Sequence, residues 1–345
     1  MAEVQEQDAS SSNRIDDDDG FDSLPDSLVL LIFNSVCDVK TLIRCRAVSK
    51  RFNSLVPHCD SLFLKIDCII SSDSDSDSDS DSGPNSHLFN FFKSTVKSFF
   101  YFISSILLKS KLQKSPAQIL RQFYRIQRLQ IEFPTKDFEI ERVVKWRAEF
   151  GDALRNCVIL SFEKIRNSDG REVMEVDGVD FGFVTGMKAR MLWMMGALMT
   201  ASARHHVMAE VVEEHLEMKN LVLRDRGGNG VVVMEENGLE DFRRSRMCGG
   251  GEAAGRLQMR TRIPSTTVRM KCWPLLEIRQ GLYMEDATLV VVRPTGNASM
   301  DQSTDVEKED ADLALSAFED DDVYTDAVAA LLTKGKRCQF EINSF

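Results

Sequence analysis

Residues Phe21 to Leu64 read FDSLPDSLVLLIFNSVCDVKTLIRCRAVSKRFNSLVPHCDSLFL, and this segment constrains the fold more than any other part of the chain. Pro25 suits the first turn of a helix, where its missing N–H costs nothing. Leu28, Ile32 and Val36 recur at i, i+4 and i+8 and predict one apolar stripe along that helix. Asp38 is placed to cap a second helix, with Leu42 and Cys45 three apart on one face. Ser49 is placed to cap a third, with Phe52, Leu55 and Val56 as its buried side. Three helices in about forty residues enclose too little core to hide all of this apolar surface. Leu24, Pro25 and Ile32, left exposed, then read as an interface.

The ordered string Leu24-Pro25, Leu28, Ile32-Phe33, Val36, Leu42, Cys45, Val48-Ser49-Lys50-Arg51-Phe52, Leu55 resembles the F-box throughout its length. The family often carries Trp where this chain has Phe52, and Cys at position 45 is ordinary for the pattern. The resemblance implies a helical hook that binds a Skp-family adaptor, and through it a cullin and a RING subunit. The implied contact residues are Leu24, Pro25, Leu28, Ile32, Val36, Leu42, Cys45, Val48 and Phe52. Farther along, MKARMLWMMGALMTASARHH, LVLRD and ATLVVVRP look similar to a plant F-box group whose members are induced by auxin. That similarity implies a role in hormone response, in nucleus and cytoplasm.

Charge is unevenly placed. Residues 1–20, 73–81 and 301–322 together hold 22 acidic and two basic residues, a net −20, so the remainder of a chain at −11 carries +9. The acidity belongs to tails and linkers, and global charge argues for no direct contact with nucleic acid. Eight cysteines are scattered without a CxxC or a short disulfide framework, which favours buried, reduced thiols. The N-terminus is neither a signal nor a transit peptide. The most apolar stretch, Ser98–Leu108, has 11 residues, against the roughly 20 that a bilayer core requires, so no membrane span is expected.

These features divide the chain into a disordered acidic tail (1–20), the F-box (21–67), a Ser/Asp linker and aromatic helix (68–115), an α/β domain that binds a target protein (116–295), an acidic linker (296–322), and a C-terminal helix and tail (323–345). The run SSDSDSDSDSDS reads as a solvated linker whose serines suit an acidophilic kinase. The expected class is α+β or α/β: a three-helix hook, then a mixed helix-strand domain. Ile119, Phe123 and Ile126 predict a helix before a strand at Leu129–Phe133. FGDALRNCVILSF repeats the plan, with a strand at Val158–Phe162, and a long helix over 185–216 precedes a strand at Leu221–Leu223. Degenerate leucine-rich repeats and an α/β layer without repeats both fit. Two further strands are expected in TTVRMKCWPLLEI and ATLVVVRP, with a basic, glycine-rich loop before them.

No catalytic constellation assembles. GGNG at 227–230 and GGGEAAG at 249–255 lack GxxxxGK[ST] and GxGxxG and read as turns. His205, His206 and His215 with Glu210, Glu213 and Glu214 lack HEXXH and read as a solvated helix face. No cofactor and no metal are expected, and no GxSxG elbow is present. Arg243–Arg246 and Arg256–Arg262 read as a mobile surface loop, with a nuclear signal or substrate contact as the other options. The F-box resemblance therefore implies a non-catalytic adaptor that recruits an unidentified protein substrate to an SCF-type ubiquitin ligase. Its rivals are an F-box protein acting outside a ligase, and a small-ligand or hormone co-receptor using Arg224, Arg226 and Arg262.

Overall fold

The computed structural model describes residues 21, 23–66, 116–134, 142–167, 180–248, 263–296 and 303–344. The expectations for the N-terminal tail, the Ser/Asp run, the aromatic block at 88–108, GGGEAAG and Arg256–Arg262 fall outside them.

The hook forms as its caps dictate. Helix α1 (Asp26–Val36) follows Pro25, which stands just outside the helix in extended backbone, and ends at Cys37, a left-handed residue with φ 48°. In α2 (Val39–Cys45) the Asp38 carboxylate accepts from Thr41 N–H at 2.9 Å; before α3 (Lys50–Leu55) the Ser49 hydroxyl accepts from Phe52 N–H at 3.1 Å. Val29, Phe33, Val39, Leu42, Leu55 and Val56 fill the centre. Phe52 is not a lone aromatic anchor. Its ring meets Phe21 and Phe33 edge to face, at centroid distances of 5.8 and 5.1 Å.

Beyond a 3-10 turn at Val56–His58, the described residues form a single mixed sheet of ten strands. These are β1 (Ser61–Lys65), β2 (Arg128–Phe133), β3 (Val143–Phe150), β4 (Leu154–Phe162), β5 (Ile165–Asn167), β6 (Asn220–Asp225), β7 (Gly230–Glu235), β8 (Thr266–Arg279), β9 (Leu282–Pro294) and β10 (Lys336–Ile342). The order is β1-β2-β6-β7-β3-β4-β9-β8-β10, with β5 on β9. The sheet therefore takes strands from the hook's own extension and from the C-terminal tail as well as from 116–295.

Strands β1, β2 and β6 run parallel, with Leu62, Leu129 and Leu221 in one row and Leu64, Ile131 and Leu223 in the next. This ladder is what the "x-L-x-L" rhythm reported. It stops at three strands, because β7 returns antiparallel to β6 through the turn at Gly227–Gly230 and the sheet continues mostly antiparallel. The described residues form a layered α/β sheet and no solenoid of repeats.

Several local expectations change. Helix α4 spans only Pro116–Leu120. Phe123 and Ile126 are buried in the following turns, whose amides Tyr124 and Gln127 donate to Pro57 and Asp60 carbonyls of the hook. FGDALRNC is no helix; it is the hairpin joining β3 to β4, with a register shift at Glu149/Phe150. The long helix begins earlier and is interrupted: α5 covers Asp180–Val207, α6 covers Ala209–Glu214, and buried Met208 between them takes φ −86°, ψ −1°. Part of the expected basic loop is helix α7 (Glu236–Cys248), which buries Leu239 and Phe242 while Arg243 donates to the carbonyls of Val212, His215 and Met218. The acidic linker contains helix α8 (Ser303–Ser316); α9 (Asp322–Lys334) follows, and the tail after it pairs with β8 as β10.

Two cores result. One sheet face packs Trp146, Phe150, Ile159 and Val292 against α5–α7, and this core is continuous with the hook's Val29, Phe33 and Leu42. The other packs Leu160, Phe162, Leu289 and Val291 against Ala314 of α8, Phe318 just after it, and Val328 and Leu331 of α9. Burial at about 25 cal/mol per Å2 of apolar surface favours both.

Lys50 and Arg51 stand side by side on α3 but differ in what they hold. Lys50 is exposed, but the Arg51 guanidinium donates to Asp26 at 2.9 Å, to the Phe21 carbonyl at 2.8 Å and to the Leu24 carbonyl. It ties the entry to α1 onto α3. Arg51→Ala is therefore expected to cost about 1–2 kcal/mol in urea denaturation, against about 0.5 kcal/mol or less for Lys50→Ala. Equal effects would show that the tether holds nothing.

Candidate functional site

The hook divides its apolar residues between two sides. Val29 and Phe33 turn inward from α1, and Leu42 from α2. Leu28, Leu31, Ile32 and Val36 of α1, Ile43 of α2 and Val48 in the turn before α3 face solvent, Leu31 at 62 % and Val48 at 71 % exposure. A segment this small could bury such residues only against something else, so they mark a binding surface.

Of the residues the sequence nominated, Pro25, Leu28, Ile32, Val36 and Val48 are exposed, and Leu24, Cys45 and Phe52 are half-buried. Leu42 is fully buried and supports the hook from its core. Leu31 and Ile43 were missed: Leu31 falls off the i, i+4, i+8 stripe of α1, and Ile43 off the Leu42/Cys45 face of α2. The unbroken apolar run Leu28–Phe33 was the available signal: six successive apolar residues surround a helix, and a thin core can take only one side. Cys59 beneath this surface is an inert thiol, pushed up to about 12 by burial and then by Asp60 and Cys45.

Among the described residues no cluster of His, Cys, Asp and Glu is spaced to hold a metal ion, and no helix is long and apolar enough to cross a membrane. The described cysteines are free, with Cys59, Cys157 and Cys272 buried. GGNG is the β6–β7 turn, with Gly228 at φ 63°. Gly230 packs so closely on the Trp146 indole that any Cβ there would displace it. Of the co-receptor arginines, Arg224 on β6 and Arg226 in the turn after it are exposed, Arg226 pairing with Glu132 at 3.3 Å, and Arg262 lies outside the described residues.

What sequence reasoning missed here is a set of buried polar ties. Arg204 on α5 reaches Asp225 at 3.1 Å and the Gly230 carbonyl at 2.8 Å, and lies 5.0 Å over the Trp146 ring. Asp225 also accepts from the Asn229 and Gly230 amides at 2.7 and 2.8 Å. Arg142 and Arg190 converge on Asp286, which adopts φ 44°. These pairs lock helix and turns to the sheet.

His205 and His215 are buried, contrary to the solvated face expected of them. The His205 ring stacks on Phe150, and its Nε2 lies 3.0 Å from the Gly151 carbonyl, so Nε2 carries the proton and donates. Burial, then His206 and Arg246, push its pKa down to about 4 against the opposing pull of Gly151. A neutral His in the fold that protonates near 6.5 when unfolded lends stability above pH about 6.5, lost progressively as pH falls toward 4. Across that window stability is expected to fall by up to roughly 3 kcal/mol. His205→Gln should flatten that part of the pH profile in urea titrations, and an unchanged slope would contradict the assignment.

The F-box-like family model matches residues 21–68, the hook and the strand that continues it. Two Arabidopsis thaliana proteins, F-box protein AUF1 and F-box protein AUF2, are each 41 % identical to the chain over 95 % of its length and the whole of their own. A third Arabidopsis F-box protein is 33 % identical over 95 % of this chain and 94 % of its own. No solved structure matches. Similarity on this scale spans the sheet domain as well as the hook, and the chain belongs to the F-box protein family.

Proposed function

We propose that this protein recruits a target protein to an SCF-type ubiquitin ligase. The hook docks a Skp-family adaptor through Pro25, Leu28, Leu31, Ile32, Val36, Ile43 and Val48, with Leu24, Cys45 and Phe52 at its margin. The adaptor supplies the link to cullin and RING subunits. The sheet domain holds the target. The observation that carries the reading is the row of exposed large apolar residues on α1 and the α2–α3 region, on a hook whose interior is already closed by other side chains. F-box proteins are generally non-catalytic adaptor subunits, and the chemistry lies with the ubiquitin-conjugating partner; this subunit contributes proximity and orientation. Likeness to AUF1 and AUF2 supports placing it among plant F-box proteins; a role in auxin response, in nucleus and cytoplasm, belongs to the same proposal.

Adaptor capture tests the reading. Leu28→Asp and Ile32→Asp should each weaken adaptor binding about 30-fold or more, the cost of losing an anchor worth ~2 kcal/mol, with the thermal transition of the free protein unchanged. Val29→Asp, which places a carboxylate in the core, should unfold the hook instead. Retained adaptor binding by both exposed-site variants would overturn the proposal. Capture of the adaptor without the cullin would point to an F-box protein acting outside a ligase.

A further inference from the structure

The two edges of the sheet are finished differently. At β1 the outer edge is engaged by the hook: Phe63 N–H donates to the Cys37 carbonyl at 2.8 Å, and Asp38 forms a parallel bridge with Phe63. At the opposite edge β10 (Lys336–Ile342) pairs with β8 on one side only. Every second residue of a strand turns its N–H and C=O away from its neighbour. Among the described residues no backbone group meets that outer side of β10. The strand is seven residues long and has no proline, and Lys336, Arg337, Gln339 and Glu341 are exposed. Such an edge is a template for another strand.

The sequence of the edge, KRCQFEI, indicates which strand it fits. Laid antiparallel on itself about Gln339, it sets Arg337 opposite Glu341 of a second copy, Cys338 opposite Phe340, and Gln339 opposite Gln339. Opposite charges then face each other on one side of the ribbon, and half-buried apolar residues meet on the other. Each pair occurs twice, because the contact is two-fold symmetric. A shift of one residue would put Lys336 opposite Glu341 but Arg337 opposite Phe340 and Cys338 opposite Gln339, so one register is preferred. Within the chain Arg337 is shared between Glu307 on α8 and Gln339, both at the surface, a setting in which an ion pair binds weakly. The guanidinium can therefore serve a second carboxylate.

We infer that β10 is a homodimerisation edge, joining the sheets of two copies of this chain through antiparallel β10–β10 pairing centred on Gln339. The hook lies at the far edge, eight strand spacings or about 40 Å of sheet away. The dimer would leave both hooks free, so one assembly would carry two adaptor-docking surfaces. The contact is a single strand pair with little flanking area, which places it among weak, concentration-dependent interfaces.

Sedimentation equilibrium of the full chain tests the inference. The wild type should show a monomer–dimer equilibrium as concentration is raised. Glu341→Arg sets like charges opposite each other at two symmetric points, and should weaken the dimer about tenfold or more. Arg337→Glu should do the same, and an equimolar mixture of the two variants should recover a heterodimer, because each now complements the other. Thermal transitions of the variants verify that they are folded; if either single variant is not, the swap Arg337→Glu with Glu341→Arg should still dimerise like the wild type. A wild type that stays monomeric at every attainable concentration would overturn the inference. So would dimerisation unaffected by the single charge reversals, or variants that fail to complement.

Discussion

A short junction holds the molecule together: residues 57–66 belong to the hook and to the sheet at once. The Pro57 carbonyl accepts from Tyr124, the Asp60 carbonyl accepts from Gln127 and Arg128, and the Ile66 amide donates to Glu132. In between, β1 lies in parallel register on β2. Arg46 adds a side-chain tie to Gln122 at 2.7 Å. Beneath these bonds the hydrophobic core runs from Val29 and Leu42 through Leu62 and Leu129 into the sheet without a gap. A hook too small to be stable by itself becomes the end of a larger core, and its outward residues stay free for a partner.

This continuity matters for an adaptor subunit. On the proposed function, a hook on a loose tether would let a target held by the sheet domain sample many orientations, and proximity alone would remain. Here backbone bonds and shared core fix the docking surface relative to the sheet. The buried and half-buried charges act in the same direction. Arg204 with Asp225, and Arg142 and Arg190 with Asp286, tie α5 and its neighbouring loops to the strands, where each pair leaves few alternative packings.

Local rules made the hook legible in the sequence. Asp38 and Ser49 cap where cap residues should, and the alternation of the Leu129 and Leu221 strands predicts their burial. What was not legible depended on distant partners. The β10 strand reads as a polar tail until Met270 and Val268 are opposite it. Helix α8 is hidden in an acidic run because its apolar contribution is thin, Leu313 and Ala314 with Phe318 just beyond it, and gains value only against the second sheet face. The His205 ring looked solvated because the sequence predicts one continuous helix that also carries Glu210 and Glu213, yet its burial is decided by Phe150 and Phe242 from elsewhere in the chain. The Arg51 tether is invisible in the sequence for the same reason: its three acceptors lie 25 to 30 residues earlier.

The central claim is that hook and sheet form one cooperative body. Native-state hydrogen exchange on the full chain tests it most directly, because amides that open together share one free energy. The account predicts that the most protected amides of α1 and α2 exchange with the same opening free energy, and the same dependence on urea, as those of β2 and β6. Hook amides that open at a clearly lower free energy than the β2 amides, with a separate urea dependence, would show two independent units and contradict it.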